Sequence, residues 1–451
     1  MLSRAGVAEA VRSQLWPLPL LALAAALASG IAMPEADAAL ETRLPGAVER
    51  ILFGGGADAA REVLSAIAGS LITVTSLTFS LTLITLQLAS SQYSPRLLRT
   101  FAADQVVQRT LALFLATFVY ALTVLRTIRS NDESADFVPQ LSVTIAYVLA
   151  VVSVGALVMF LAHLVRQIRV ETLLDQVCGD TLTTAARMLR RREDGDAGTG
   201  DPAAFTPPGR GAVIESGTSG FLVEIDEASL LATALRHDVV LRMDRPVGSP
   251  LTAGVPAARC WPCPGTQLDD QALRDIRERV STALRTGPER TSAQDPEYGL
   301  RQLVDVVIRA LSPGINDPTT AVHGLHSCTV ALSELLGYHL GPHTMTDEQG
   351  VVRVVITRSS FAELLALVCA QPRLYGAEDP AVRYALLRLL HDLAWKATLP
   401  DHRTAVAEQL THLRRVTPQA VETVDAQRTE ILYREVLSVL ERQRDQGQGR
   451  S

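Results

Sequence analysis

The side chains best suited to chemistry are few and widely spaced. Cys260-Trp261-Pro262-Cys263 is a Cys-x-x-Cys pair. A structural zinc needs two more ligands at suitable spacing, and a redox pair needs a thioredoxin-like setting; neither surrounds it. His323 and His326 fall three apart on a helical stretch with Cys328 nearby, an incomplete ligand set that reads as a packed or solvated pair. His391-Asp392 is a pair of the kind that holds a metal in phosphohydrolases, but no further His and Asp ligands can be placed around it. No phosphate-cradling loop ends in Gly-Lys, and no Gly-x-Ser-x-Gly elbow occurs. The expectation is a chain that is not an enzyme, holds no metal and uses no cofactor.

A second group is unusual for its place and not its reactivity. Within a stretch uncharged from residue 63 to 95, hydroxyl and amide residues sort into two stripes at about 100° per residue. One contains Gly69, Thr73, Ser76, Ser80 and Gln87, then Ser91 and Ser94, with Leu83 its apolar member; the other contains Thr75, Thr78, Thr82 and Thr85. Small and hydroxyl residues let helices pack closely, and they also line water-filled paths, so packing and a pore both fit. Thr73, Ser76, Ser80 and Gln87 are the pore-lining candidates.

A third group is polar and dense. Arg290, Asp295, Glu297, Arg301, Asp305, Asn316 and Asp317 fall in one block, 287–323. Pro313-Gly314 stops one helix, Asn316 or Asp317 caps the next, and Pro318 takes its first turn. Arg301, Asp305 and Arg309 follow one another at i,i+4 spacing and can pair along a face. A network that fixes this turn, a ligand or anion site, and a subunit contact are the readings of the cluster.

The elements that must position these groups divide the chain. It has 451 residues and a net charge of −6, with Lys396 its single lysine; no basic face points to a nucleic-acid partner. Four apolar stretches predict transmembrane helices at about 15–33, 63–94, 106–125 and 138–165. The first follows Arg4 and Arg12 and precedes Ala36-Asp37-Ala38, the layout of a signal peptide. Its apolar run exceeds the usual signal core, so a retained helix is expected. Arg96 and Arg99 lie between the second and third spans and Arg109 just before the uncharged stretch of the third, and Arg166, Arg169, Arg187, Arg190, Arg191 and Arg192 follow the fourth. The other loops mix Arg with acids, so both termini are expected in the cytoplasm. No Asp, Glu, Lys or Arg lies in the core of the last three spans, which argues against ion-coupled transport. Five cysteines, all beyond the spans, read as reduced thiols.

The predicted order is a transmembrane domain over 1–169, a connecting helix and linker over 170–210 and a small β-rich unit over 211–265. An α-helical domain over 266–444 and a polar tail over 445–451 complete it. Strands are expected at 212–214, 221–225, 239–243 and 351–356. Helices are expected at 226–235, 269–286, 296–311, 318–336, 360–370, 381–395, 405–415 and 420–444. The fold class is thus mainly α: a four-helix membrane bundle, a small β unit and a helical cytoplasmic domain.

Gln294-Asp295-Pro296-Glu297-Tyr298-Gly299 and Leu311-Ser312-Pro313-Gly314-Ile315-Asn316-Asp317-Pro318 resemble an uncharacterised family of predicted bacterial membrane proteins, domain-of-unknown-function family 2254. So do Leu86–Arg96 and Ser219–Asp226, and the resemblance runs through nearly the whole chain in one order. It implies a bacterial inner-membrane location and brings no activity, substrate or catalytic residue. The partners expected are the lipid bilayer, further copies of the chain in a homo-oligomer, and an unknown cytoplasmic ligand or protein. The functional expectation is an oligomeric passive channel regulated by its cytoplasmic domain. The alternative is a non-conducting membrane-anchored scaffold or sensor, with a membrane-bound enzyme last.

Overall fold

The structure is a computed structural model describing residues 16–40, 52–92, 104–131, 134–167, 169–192, 209–376, 378–415 and 423–448. The chain forms two compact units, 1–172 and 173–451.

The first unit holds four helices long and apolar enough to cross a membrane. They are α1 (Pro17–Leu40), α2 (Ala57–Gln92), α3 (Gln105–Leu125) and α4 (Gln140–Gln167), with a short antiparallel hairpin, β1 (Arg129–Asn131) and β2 (Ser134–Phe137), before α4. α1 runs seven residues beyond the predicted end and α2 starts six residues before the predicted start. These extensions carry Glu35 and Asp37 in α1 and Asp58, Arg61 and Glu62 in α2, so the apolar signal stops short of the helix ends. α3 is central and packs on the other three. Ala57, Ala60, Leu64 and Ala68 of α2 meet Tyr120, Ala121 and Val124 of α3 and Val143 and Ala146 of α4 in a buried core. These small residues let backbones approach closely, which is how helices associate where lipid removes the hydrophobic drive.

In the second unit, α5 (Val170–Met188, counted here from Leu173) leads to two sheets. Their strands are β3 (Ala212–Glu215), β4 (Gly220–Ile225), β5 (Val239–Met243), β6 (Pro250–Leu251) and β7 (Pro256–Pro262). Helix α6 (Glu227–His237) precedes β5, and α7 (Asp270–Ala283) precedes β8 (Leu284–Gly287). Helices α8 (Pro296–Ala310) and α9 (Pro318–Leu335) follow, then β9 (His343–Thr346) and β10 (Val352–Ile356). Helices α10 (Phe361–Tyr375), α11 (Pro380–Lys396), α12 (Pro400–Arg415) and α13 (Thr423–Gln448) close the chain. One sheet has the order β3-β7-β5-β10-β9, with β10 parallel to β5 and the other pairs antiparallel; the second has the order β6-β4-β8.

The strands therefore extend beyond the 211–265 stretch in which the sequence concentrates them. β8 occupies residues expected to end a helix. Pairing of Leu284 with Ile225 and of Gly287 with Phe221 extends the backbone there, a long-range gain that local helix periodicity cannot register. Apolar alternation along β5 and β10 buries Leu241, Met243, Val354 and Ile356 against Leu230 of α6 and Ile276 of α7, and β4, whose register shifts between Leu222 and Glu224, turns both Leu222 and Ile225 into the same core. The predicted linker falls mostly on 193–208, outside the described residues. α13 continues through Gln448, past the predicted tail boundary.

Candidate functional site

The two hydroxyl stripes of α2 part company. Thr78, Thr82 and Thr85 are buried within the bundle, and each hydroxyl donates to the carbonyl four residues earlier, at 2.8, 2.8 and 2.9 Å. This back-bonding satisfies the hydroxyl inside its own helix, so the stripe packs without polar cost. Thr73, Ser76, Ser80 and Gln87 instead lie exposed on the outer surface of the unit. Thr73 Oγ1 donates to the Gly69 carbonyl at 3.1 Å and Ser80 Oγ to the Ser76 carbonyl at 2.9 Å. Ile72, Leu77, Phe79, Leu83 and Ile84 are exposed beside them. The four pore-lining candidates thus share one outward face and are not walled in by α3 or α4. Ser91 is in α2 without a described side chain, and Ser94 lies outside the described residues.

Two ionisable groups at helix ends, Asp104 and His163, escaped the sequence reading, and a third, Asp37, entered it only as part of Ala36-Asp37-Ala38. Asp104 Oδ1 caps α3 by accepting from the Val106 amide at 2.7 Å, while its Oδ2 faces His163 Nε2 at 2.6 Å and Gln167 Nε2 at 2.5 Å on α4. Asp37, near the end of α1, accepts from the backbone and side chain of Ser142 in the first turn of α4. An Asp directly before an apolar run is a legible cap signal. Its partners on another helix are not legible.

The polar block of the second unit folds into a tight network at the start of α8. Asp295 is the N-cap: its Oδ1 accepts from the Tyr298 amide at 3.1 Å, with Pro296 in the first turn. Arg290 grips the same carboxylate with two bonds, Nε to Oδ2 at 2.5 Å and Nη2 to Oδ1 at 3.0 Å, and reaches Glu297 Oε1 at 2.9 Å. Glu297 Oε2 accepts from Ser359 Oγ at 2.5 Å, and the Arg290 guanidinium lies 5.5 Å from the centre of the Tyr298 ring. Gly248 closes over the pair with φ +89°, and a Cβ there would stand 2.2 Å from Asp295 Oδ2.

Electrostatics within this cluster follow from burial and pairing. Burial opposes the charge on Arg290, yet Asp295 and Glu297 hold its guanidinium above its ordinary value. Burial pushes the Asp295 carboxyl up, against the pull of Arg290. Burial would also raise Glu297, but Ser359 and Arg290 hold it below the usual carboxylate range.

The remaining predicted residues divide. Arg301 turns to Gln371 of α10 at 3.1 Å, and Asp305 is buried. Asp317, not Asn316, caps α9, accepting from the amide of Thr320 at 3.1 Å and its hydroxyl at 2.6 Å. Asn316 takes the left-handed turn conformation, φ +48°, that makes the elbow.

The block has a neighbour that the sequence did not connect to it. A Cβ on Gly299 would stand 1.9 Å from Thr181 Oγ1 of α5, so α8 and α5 touch backbone to side chain there. Thr184 Oγ1 donates to the Ser292 carbonyl at 3.1 Å, and Arg187 Nη2 to the Ala293 carbonyl at 2.8 Å. At the end of α5, the Met188 carbonyl accepts from Arg358 Nη1 at 3.0 Å, and Arg358 Nη2 donates to Glu227 Oε1 at 2.6 Å. Met188, Glu227, Val247, Asp295, Glu297 and Arg358 line a half-open cleft of about 60 Å³. The block thus clamps the helix that follows the fourth span.

The other candidates show no shared chemistry. Cys260 is a buried member of β7, and Cys263 accepts from Arg353 beyond the strand's end. Residues three apart on an extended chain face opposite sides. Burial pushes the Cys260 and Cys369 thiols up to about 12, where they stay protonated. Among the described residues no three His, Cys, Asp or Glu side chains are grouped to hold a metal ion. His391 Nδ1 lies 3.0 Å from its neighbour Asp392 and its Nε2 accepts from Trp395 at 3.2 Å, which accounts for both ring nitrogens.

Residues 12–392 match the family described as predicted membrane protein, DUF2254. An uncharacterised protein of Mycobacterium bovis and one of Mycobacterium tuberculosis are each 34% identical over 415 residues, covering 90% of this chain and 77% of the relative. No solved structure matches. With a match over most of its length and relatives at this identity, the chain belongs to the DUF2254 family of predicted membrane proteins.

Proposed function

We propose that the protein is a homo-oligomeric passive pore of the bacterial inner membrane, with the α2 stripe lining the path between copies and the second unit regulating it from the cytoplasm. One observation carries this reading: Thr73, Ser76, Ser80 and Gln87 form an outward polar face, while the parallel stripe of Thr78, Thr82 and Thr85 is already buried inside the chain. Packing within one copy accounts for the buried stripe alone. A carboxamide and a row of hydroxyls facing hydrocarbon gain nothing there, but between copies they can hydrate a path. The spans' central stretches carry no acid, lysine or arginine, which fits passive movement better than ion coupling. The Arg-rich loops support the orientation.

Single cysteines on a background without native cysteines test the face directly. Cysteine at 73, 76, 80 or 87 should react with a charged, water-soluble thiol reagent in membranes, and cysteine at 78, 82 or 85 should not. Equal inertness of both sets refutes the lined path. The second reading, a non-conducting scaffold or sensor, is favoured by the back-bonds of Thr73 and Ser80, which leave those hydroxyls content without water. It expects that inertness together with normal assembly.

A further inference from the structure

The first helix carries an ambiguity that its side chains resolve. Residues 36–38, Ala36-Asp37-Ala38, have the small-residue form of a signal-peptidase site behind an apolar run. If that bond were cut, residues 17–38 would be discarded and could serve no structural purpose. The geometry runs the other way.

Asp37 is only 6% exposed. Its Oδ2 accepts from the Ser142 amide at 3.0 Å and from Ser142 Oγ at 3.1 Å, and its Oδ1 accepts from the Leu141 amide at 3.3 Å. Leu141 and Ser142 are in the first turn of α4, whose opening amides have no partners within their own helix. α4 thus takes its N-terminal acceptor from α1, more than one hundred residues earlier in the chain. The negative carboxylate also meets the positive end of the α4 dipole.

A second, independent contact lies further down the same helix. A Cβ on Gly30 would stand 2.8 Å from Thr123 Cβ, so α1 and α3 approach to a distance that glycine alone permits. Ala26, one turn away, is buried in the core shared with Ala60 and Ala121. The family match, starting at residue 12, includes this helix. A disposable leader has no use for a glycine notch or for a carboxylate aimed at another span. Residues 36–38 are also inside a helix that continues to Leu40, whereas proteolytic cuts favour exposed loops.

We propose that residues 17–40 are a permanent span, that Ala36-Asp37-Ala38 is not a processing site, and that Asp37 is the positioning residue that seats α4. The inference does not depend on whether the protein conducts.

The test has two arms on the full chain with a C-terminal tag, purified from bacterial membranes. Intact-mass measurement should return a chain that retains residues 17–40, and a mature chain beginning at Ala39 overturns the proposal. Hydrogen exchange then compares wild type with Asp37→Ala. Amides of the first turn of α4 should exchange at least tenfold faster in the variant, with the second unit's exchange unchanged as the control for folding. Unchanged exchange at Leu141 and Ser142 overturns the seating role. If Asp37→Ala does not accumulate, Asp37→Asn, which keeps one acceptor, serves in its place and should give a smaller acceleration in the same turn; no acceleration overturns the role.

Discussion

Gly248 and His402 show how single residues set the tolerance of the second unit. Gly248 has φ +89° and no space for a Cβ beside Asp295 and Arg290. Gly248→Ala should therefore cost about 1–3 kcal/mol from backbone strain and displacement of the buried pair; denaturant unfolding of the purified chain checks this. The His402 ring packs tilted by 45° against Phe361 with the ring centroids 4.7 Å apart, and its Nε2 faces Arg192 Nη2 at 3.5 Å. Burial, then Arg192, depress its pKa to about 4. The folded value lies below the ordinary value of about 6.5, so the unfolded chain binds the proton more readily between the two. The stability that neutral His402 confers is full above about pH 6.5 and declines as pH falls toward 4, by about 3 kcal/mol at most. His402→Gln should flatten this slope in a pH series of unfolding midpoints. Neither residue stood out in the sequence. A glycine in a turn and a histidine on a helix look ordinary until their distant neighbours are known.

The elements were more legible than their joints. Apolar length found the four spans, and 3.6-residue periodicity found most helices of the second unit, because both signals are local. The Pro-Gly elbow and its Asp317 cap were readable for the same reason. β8 was not, since its pairing with β4 is long-range, and the clamp on α5 was not, since nothing near Gly299 names Thr181. That clamp makes a sharp prediction. Gly299→Ala should lower the stability of the second unit by about 1–3 kcal/mol through overpacking against Thr181. Adding Thr181→Ala, which removes the opposing hydroxyl and methyl, should restore part of the loss. A double-mutant cycle measures the coupling, and strictly additive effects would show that α8 and α5 do not meet there.

At the scale of the whole molecule, a bundle held by small residues and helix-end carboxylates leaves one polar face of α2 turned outward, and the chain continues into a unit that grips the following helix. The candidate site was half legible: the stripes could be read from the sequence, but which one packs and which one faces out depends on the positions of α3 and α4. In the proposed pore, the outward stripe lines a passive path between copies. Purified protein in a planar bilayer tests it most directly. Wild type should give current without an energy source, and Ser80→Leu combined with Gln87→Leu should reduce unitary conductance severalfold in chains that still assemble. Absence of current from assembled wild type at any voltage or membrane tension, or a conductance indifferent to both substitutions, would contradict it.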